Sequence, residues 1–271
     1  KRYASVLVFF IVVLPAVYLS HYADEPVPYP SKVYLEDMTW QEVRDAINNG
    51  LTTVLVPTGG TEQNGPHVIL GKHNYIVKYT AGKIAETLGK TLVAPVISYV
   101  PEGSIAPADG HMRFAGTLSI SEAEFEAILE SAARSLKQHG FKTIAFIGDS
   151  GGNQAAQKRV ADRLNGLWRD EGVRVVHVND YYEHNSQSAY LLNNGYSDLQ
   201  VGGHAGIRDT SELMAVLPGG VRTEFKVDHI GSDFLITGAD GDASKASLLL
   251  GNILLNLKIE AAVKQIRETS G

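Results

Sequence analysis

The chain has 271 residues, 44% apolar and 20% charged, which suffices for one large α/β domain or two small ones and excludes disorder as the main state. Its formal net charge of −6, with no run rich in Lys and Arg, argues against a broad nucleic-acid surface. It contains no cysteine, so disulfides and thiolate ligands are excluded, and any metal falls to His, Asp, Glu or Asn, a donor set suited to zinc, manganese or iron.

Lys1 and Arg2 precede an apolar run over residues 6–19. A basic start before an apolar stretch of about 7–15 residues describes a secretory signal, and the run is short for a membrane span of roughly 20 residues. Residues 1–23 therefore read as a signal peptide or an uncleaved N-terminal anchor, and either sends the remainder to the periplasm or outside the cell. Residues 24–32 contain Pro26, Pro28 and Pro30 and read as an extended linker. Residues 33–271 then form one domain.

Within that domain, Thr39 as N-cap and Glu42 three residues on open a helix that carries Val43, Ala46 and Ile47 on one side and ends at Gly50. Residues 52–57 read as a buried strand, and 73–88 as a helix with Ile76, Tyr79, Ile84 and Leu88 on its apolar side. Residues 92–100 are strand-like. The clearest helix spans 121–139, with Ser121 and Glu124 as a capping box, Phe125, Ile128, Leu129, Ala132 and Leu136 as its stripe, and Gly140 closing it. A strand over 142–147, a helix over 154–170, a strand over 173–178 and a long helix over 243–267 follow. This alternation predicts an α/β fold with a mostly parallel central sheet and helices on both faces.

Ligands of such sheets bind at the carboxyl ends of the strands. Three Gly-rich loops fall there: residues 58–73, 148–153 and 202–211. The first packs Glu62, Asn64, His67 and His73 together. Glu62 and His73, eleven residues apart, could close on one metal ion with a third ligand from another strand; equally, they could cap a turn and start a helix. His67, after Pro66, reads as structural or substrate-facing. The second loop contains Gly148-Asp149-Ser150-Gly151-Gly152, a string also found around the nucleophile of trypsin-like proteases, but here it joins a strand to a helix rather than strands of a β-barrel. Ser150 could be a nucleophile with His111 or His204 as its base, or simply the N-cap of the helix. His111 stands beside Arg113, and Tyr181, Tyr182 and His184 form a polar-aromatic group that reads as packing or surface.

Taken together, these segments resemble the creatininase family of metal hydrolases. The family's Gly-Ser-x-Glu-Gln-His-Gly-Pro-His, followed by an Asp that opens a helix, is similar to Gly60-Thr61-Glu62-Gln63-Asn64-Gly65-Pro66-His67 and then His73. Its His-x-x-Phe-x-Gly-Thr is similar to residues 111–117, its Asn-Gly-His-Gly-Gly-Asn to 148–153, its Gly-His-Ala-Gly-Glu-x-Glu-Thr-Ser to 203–211, and its late Gly-Asp-x-x-x-Ala to 241–246. The matches fall in order and cover most of residues 33–260. The resemblance implies a three-layer α/β/α fold, a homo-oligomer, and a two-metal site that activates water against a linear or cyclic amide.

The departures bear on the metal. Glu62 stands at a family ligand, but the next, a His, is Asn64; the bridging Asp is His73; the His of the Gly-rich loop is Ser150; and the further carboxylate is lost at both its positions, Gly152 and Ile207. A secreted branch of the family keeps Glu-Gln-Asn-Gly-Pro-His and Gly-Lys-His-Asn but has His where Ser150 stands. The expectation is therefore a secreted amidohydrolase of C–N bonds with at most one divalent metal (zinc, manganese or iron) on Glu62, His73 and Asp149 and no organic cofactor. His111 and His204 position substrate or shuttle protons, while Asn64, His67, Asn153 and Asp209 contact a small-molecule, amide-type ligand. Two other readings stay open: a non-catalytic binding protein on the same scaffold, and a serine hydrolase built on Ser150.

Overall fold

Two reciprocal caps set where the first and third helices begin. The Thr39 hydroxyl accepts from the Glu42 N–H while the Glu42 carboxylate accepts from the Thr39 N–H, opening α1 (Trp40–Asn48). Ser121 and Glu124 repeat the arrangement at α3 (Glu122–Gln138). Between them run β1 (Thr53–Thr58), α2 (Lys72–Leu88) and β2 (Thr91–Val93). After α3 come β3 (Thr143–Gly148), α4 (Gly151–Leu167) and β4 (Arg174–His177), then α5 (Gln187–Asn193), α6 (Asp198–Val201), α7 (Ile207–Val216), α8 (Phe234–Thr237) and the long α9 (Leu248–Ser270). The computed structural model describes residues 33–270, and the readings placed on residues 1–32 lie outside them. Among the described residues no helix is long and apolar enough to cross a membrane.

The strands form a parallel sheet in the order β2-β1-β3-β4. Alternating side chains leave it on opposite faces. Val54, Val56, Ile144 and Phe146 pack with Phe125 and Leu129 of α3 and Val160 and Leu164 of α4. Leu55, Ala145 and Ile147 pack with Val77 and Ile84 of α2 and Ala262, Val263 and Ile266 of α9. The result is the α/β fold with helices on both faces that the alternation predicts.

Several boundaries differ from the sequence reading. The strand expected over 92–100 ends at Val93, because Pro95 cannot donate to a ladder and the chain rejoins β1 only through an isolated bridge between Thr58 and Ile97. Helix α4 starts at Gly151 rather than at residue 154. Helix α9 starts at Leu248, since Ala243–Lys245 makes a separate 3-10 turn.

The outer edge of β4 is closed by side chains rather than by another strand. Asn165 of α4 donates to the Val175 carbonyl at 2.7 Å and accepts from its N–H at 2.8 Å, and Gln265 of α9 donates to the His177 carbonyl. This amide satisfies the backbone groups that would otherwise pair with another chain.

At the other end of the sheet, β1 and β3 finish level, with Thr58 opposite Gly148. The loops after them emerge side by side. Asn153 of α4 donates to the Thr58 hydroxyl and to the Gly59 carbonyl, both at 2.8 Å, and Gln157 donates to the same hydroxyl. These bonds hold the start of the Glu62 loop against the start of α4.

Candidate functional site

A cavity of about 470 Å³ opens at these strand ends. It is walled by the Glu62 loop, the Glu102 and His111 segment, the start of α4, and the loop that opens α7. A larger groove of about 1250 Å³ follows the β4 edge but holds none of Glu62, His73, His111 or His204.

Glu62 is 2% exposed and stands at the centre of the group. His73 Nε2 lies 2.8 Å from its Oε1, His111 Nε2 3.2 Å from its Oε2, and His204 Nδ1 3.8 Å from its Oε1. One ligand atom from each of Glu62, His111 and His204 falls within 4.8 Å of the others, so these three could hold a metal ion. Their chemistry fits one. Burial pushes the His204 imidazole down to about 4 and lowers that of His111, leaving both neutral at pH 7, while Lys72 and His73 keep Glu62 ionised against its own burial. His204 Nε2 lies 2.8 Å from the Gln63 carbonyl, which only accepts, so that nitrogen carries the proton and Nδ1 keeps its lone pair toward Glu62. Gln63, whose Oε1 accepts from the Gly65 N–H, donates its amide N–H to His111 Nδ1 at 2.9 Å, so the neutral His111 carries its proton on Nε2 toward Glu62. Ligation through that nitrogen requires the proton to leave and the Gln63 amide to turn over. Phe234, at the start of α8, stands nearly perpendicular to both imidazoles, with ring centroids 6.1 Å from His111 and 5.8 Å from His204. Two imidazoles and one carboxylate suit zinc, manganese or iron.

His73 and Asp149, expected as ligands, are committed elsewhere. Besides its bond to Glu62, His73 meets Asp149 Oδ2 through Nδ1 at 2.8 Å. A ring between two carboxylates must donate from both nitrogens, so it is an imidazolium with no free lone pair. Burial and Lys72 oppose that charge; Glu62 and Asp149 override them and hold its pKa above the ordinary value. Asp149 Oδ1 in turn accepts from Lys258 Nζ and from the Tyr181 hydroxyl, both at 2.8 Å. Against burial, Lys258 and His73 hold Asp149 at about 2. The ligand atoms that converge are those of Glu62, His111 and His204, whereas Glu62, His73 and Asp149, the expected set, are hydrogen-bonded to one another through His73.

Cations of the chain itself balance the remaining buried acids. Lys258 also meets Glu212 at 3.1 Å, and Lys72, 1% exposed, meets Asp209 at 2.8 Å. Asp209, expected to contact ligand, lies in the cavity lining, and its Oδ2 is shared between Lys72 and the Ala205 N–H. Glu102 in the same wall is pushed up to about 10 by burial and by the charge of Glu62, so it carries a proton at pH 7.

Ser150 takes the N-cap position of α4, yet its hydroxyl makes no cap bond and no hydrogen bond to any imidazole among the described residues. A serine nucleophile needs a base in hydrogen-bond reach, so this geometry does not support the Ser150 reading. Asn64, His67 and Asn153 do not line the cavity. The Asn64 amide donates to the Glu62 carbonyl, Asn153 ties α4 to β1, and His67 Nε2 meets the Ala205 carbonyl and the Thr210 hydroxyl, each at 3.0 Å. All three, expected to touch substrate, are fully buried and brace the loops that carry the site.

Burial lowers the His67 imidazole to about 4. A neutral buried histidine of this kind favours unfolding as pH falls from about 6.5 toward 4, because the unfolded chain takes up the proton first. Between pH 7 and pH 5 this one group is expected to remove about 2 kcal/mol of stability. Urea unfolding at the two pH values checks it: His67→Asn should show a pH dependence smaller by about that amount, and an unchanged dependence would refute it.

Three residues of the site escape a reading by motif: Glu102, Glu212 and Lys258. Only Lys258 leaves a signal, as a lone charge at helical spacing among Leu254, Leu255, Ile259 and Ala262.

The fold and this loop set define a creatininase-type protein. Residues 36–266 match the family described as Creatininase, creatinine amidohydrolase, and the chain belongs to that family. It is 29% identical over 209 residues to the mycofactocin precursor peptide peptidase of Mycolicibacterium smegmatis, covering 73% of this chain and 81% of the relative. It is 24% identical over 255 residues to the creatinine amidohydrolase of Pseudomonas putida, covering 87% and 96%. Among solved structures, one described as "Creatininase Mn" superposes with a TM-score of 0.72 at 23% identity over 88% of this chain and 98% of that one, which places both in one fold.

Proposed function

We propose that the chain is a hydrolase of C–N bonds in amides, working with one divalent metal ion held by Glu62, His111 and His204. The observation that carries the reading is the convergence of these three side chains, two of them neutral imidazoles, in the wall of one cavity of a creatininase-family chain. Relatives described as a peptide peptidase and a creatinine amidohydrolase, both acting on amide bonds, support the class. When bound, such an ion polarises a carbonyl and lowers the pKa of water. The chain's own residues do the rest. His73 fixes one oxygen of Glu62, Gln63 fixes the imidazoles from behind, and Phe234 shields them on one side. Glu102 holds a proton beside Glu62 at pH 7.

The apolar run at 6–19 supports export from the cytoplasm, which cell fractionation would check. For the activity, the test is metal analysis of purified protein together with assays on linear and cyclic amides. About one equivalent of zinc, manganese or iron is expected, with turnover that chelation abolishes and metal restores. Absence of bound metal with no rescue on its addition would sink the metal mechanism; ligand binding without turnover would favour the non-catalytic reading.

A further inference from the structure

Among the described residues, every cation in the cavity wall but one is hydrogen-bonded to a carboxylate. Lys72 is spent on Asp209, Lys258 on Asp149 and Glu212, and His73 on Glu62 and Asp149. Arg208, in the first turn of α7, lines the same cavity, yet its guanidinium makes no hydrogen bond among the described residues. Its approach to an acid is 3.8 Å, from Nε to Asp209 Oδ1. The side chain is 26% exposed, so it is sunk into the wall with its N–H fork open.

Two hydroxyls on the cavity wall are likewise unpartnered. Ser150 is 6% exposed and its Oγ has no hydrogen-bond partner among the described residues. The Tyr182 hydroxyl also makes none; it lies 3.0 Å from where a Cβ on Gly151 would fall, and the charge of Arg208 acts on it. Both stand at the start of α4, where no side chain caps the helix and Gly151 and Gly152 form part of the wall. The Asn153 N–H closes back on the Ser150 carbonyl at 3.2 Å, which leaves the Gly151 and Gly152 N–H groups and the positive end of this 17-residue helix's dipole at the cavity wall.

We propose that Arg208, the Ser150 and Tyr182 hydroxyls and the first turn of α4 form a carboxylate-binding subsite beside Glu62, His111 and His204, so that the preferred substrate is a short amide or peptide with a free carboxylate near the C–N bond to be cut. The substrate assignment rests on the amidohydrolase reading; the subsite does not. A planar guanidinium fork matches a carboxylate in two-point contact. A phosphate dianion fits less well, because Glu62, Asp149 and Asp209 already place negative charge in the same walls. The cavity volume of about 470 Å³ suits a ligand of a few residues at most.

The test is calorimetric titration of the full chain and of Arg208→Met with N-acetylglycine, its neutral amide N-acetylglycinamide, and inorganic phosphate, with circular dichroism and metal content confirming an intact variant. The wild type is expected to bind the acid about 10- to 100-fold tighter than the amide, a preference that Arg208→Met abolishes while amide binding changes little. Equal affinity for acid and amide in the wild type, a preference that survives Arg208→Met, or phosphate binding tighter than the acid would each overturn the subsite. Assays on matched peptides with free and amidated C-termini separate the two readings. Selective carboxylate binding without hydrolysis of either peptide refutes the amidohydrolase and leaves the subsite; hydrolysis of both at equal kcat/KM refutes the subsite and leaves the amidohydrolase.

Discussion

Lys258→Met is expected to lower folding stability by about 3–5 kcal/mol in equilibrium denaturation, the range for leaving a buried charge without its partner. Lys258 is 4% exposed on the inner face of α9, and its ammonium donates to Asp149 and Glu212. Methionine keeps the volume but removes the charge, so the loss is electrostatic rather than a cavity. Two features pull the figure toward the lower end of the range. Asp149 retains the Tyr181 hydroxyl and the His73 imidazolium, and the Glu212 carboxyl, whose pKa burial already raises, can take up a proton. Adding Asp149→Asn and Glu212→Gln to Lys258→Met should recover a large part of the deficit, since a buried ionic group exchanged for neutral residues is often nearly neutral in stability. A loss below about 1 kcal/mol for the single variant would mean that water reaches this network and that it does not organise the cavity floor.

That network also marks the limit of what the sequence alone discloses. Helix starts with reciprocal caps, at Thr39 and Ser121, are local events among four residues and are written plainly in the chain. So is the strand and helix alternation that yields the sheet. The 92–100 stretch misleads because its apolar content satisfies a strand pattern while Pro95 interrupts the ladder. The site is harder. Glu62 and His73 share a loop and can be paired by eye, but a shared loop says nothing about which atoms face one another. His111 and His204 reach Glu62 from loops 93 residues apart in the chain, through turns whose paths depend on tertiary packing. Arg208 and Lys258 are ordinary helical residues until the cavity is assembled around them.

The largest expected effect on function falls on those converging histidines. Glu62→Gln, His111→Ala and His204→Ala should each weaken binding of zinc or manganese by at least about 100-fold in a competition titration, since altering a residue that merely orients a ligand already costs about 10- to 100-fold. His73→Gln belongs to that second category: it donates to Glu62 but has no lone pair to offer, so it should weaken binding by about 10-fold and leave a stoichiometric site. The opposite pattern, with metal retained in His111→Ala and His204→Ala but lost in His73→Gln, would return the site to the Glu62, His73 and Asp149 set. The structure gives a steric reason to expect the first pattern. Any side chain at residue 152 would bring its Cβ to 2.7 Å from the Pro101 carbonyl oxygen, so backbone stands where a carboxylate there would start. With Gly152 closed to side chains, Ser150 short of an imidazole and His73 protonated between two acids, the α4 side of the cavity has lost its donors. The lone pair of His204 Nδ1 faces Glu62 with His111 beside it, and a metal ion is expected to be held there.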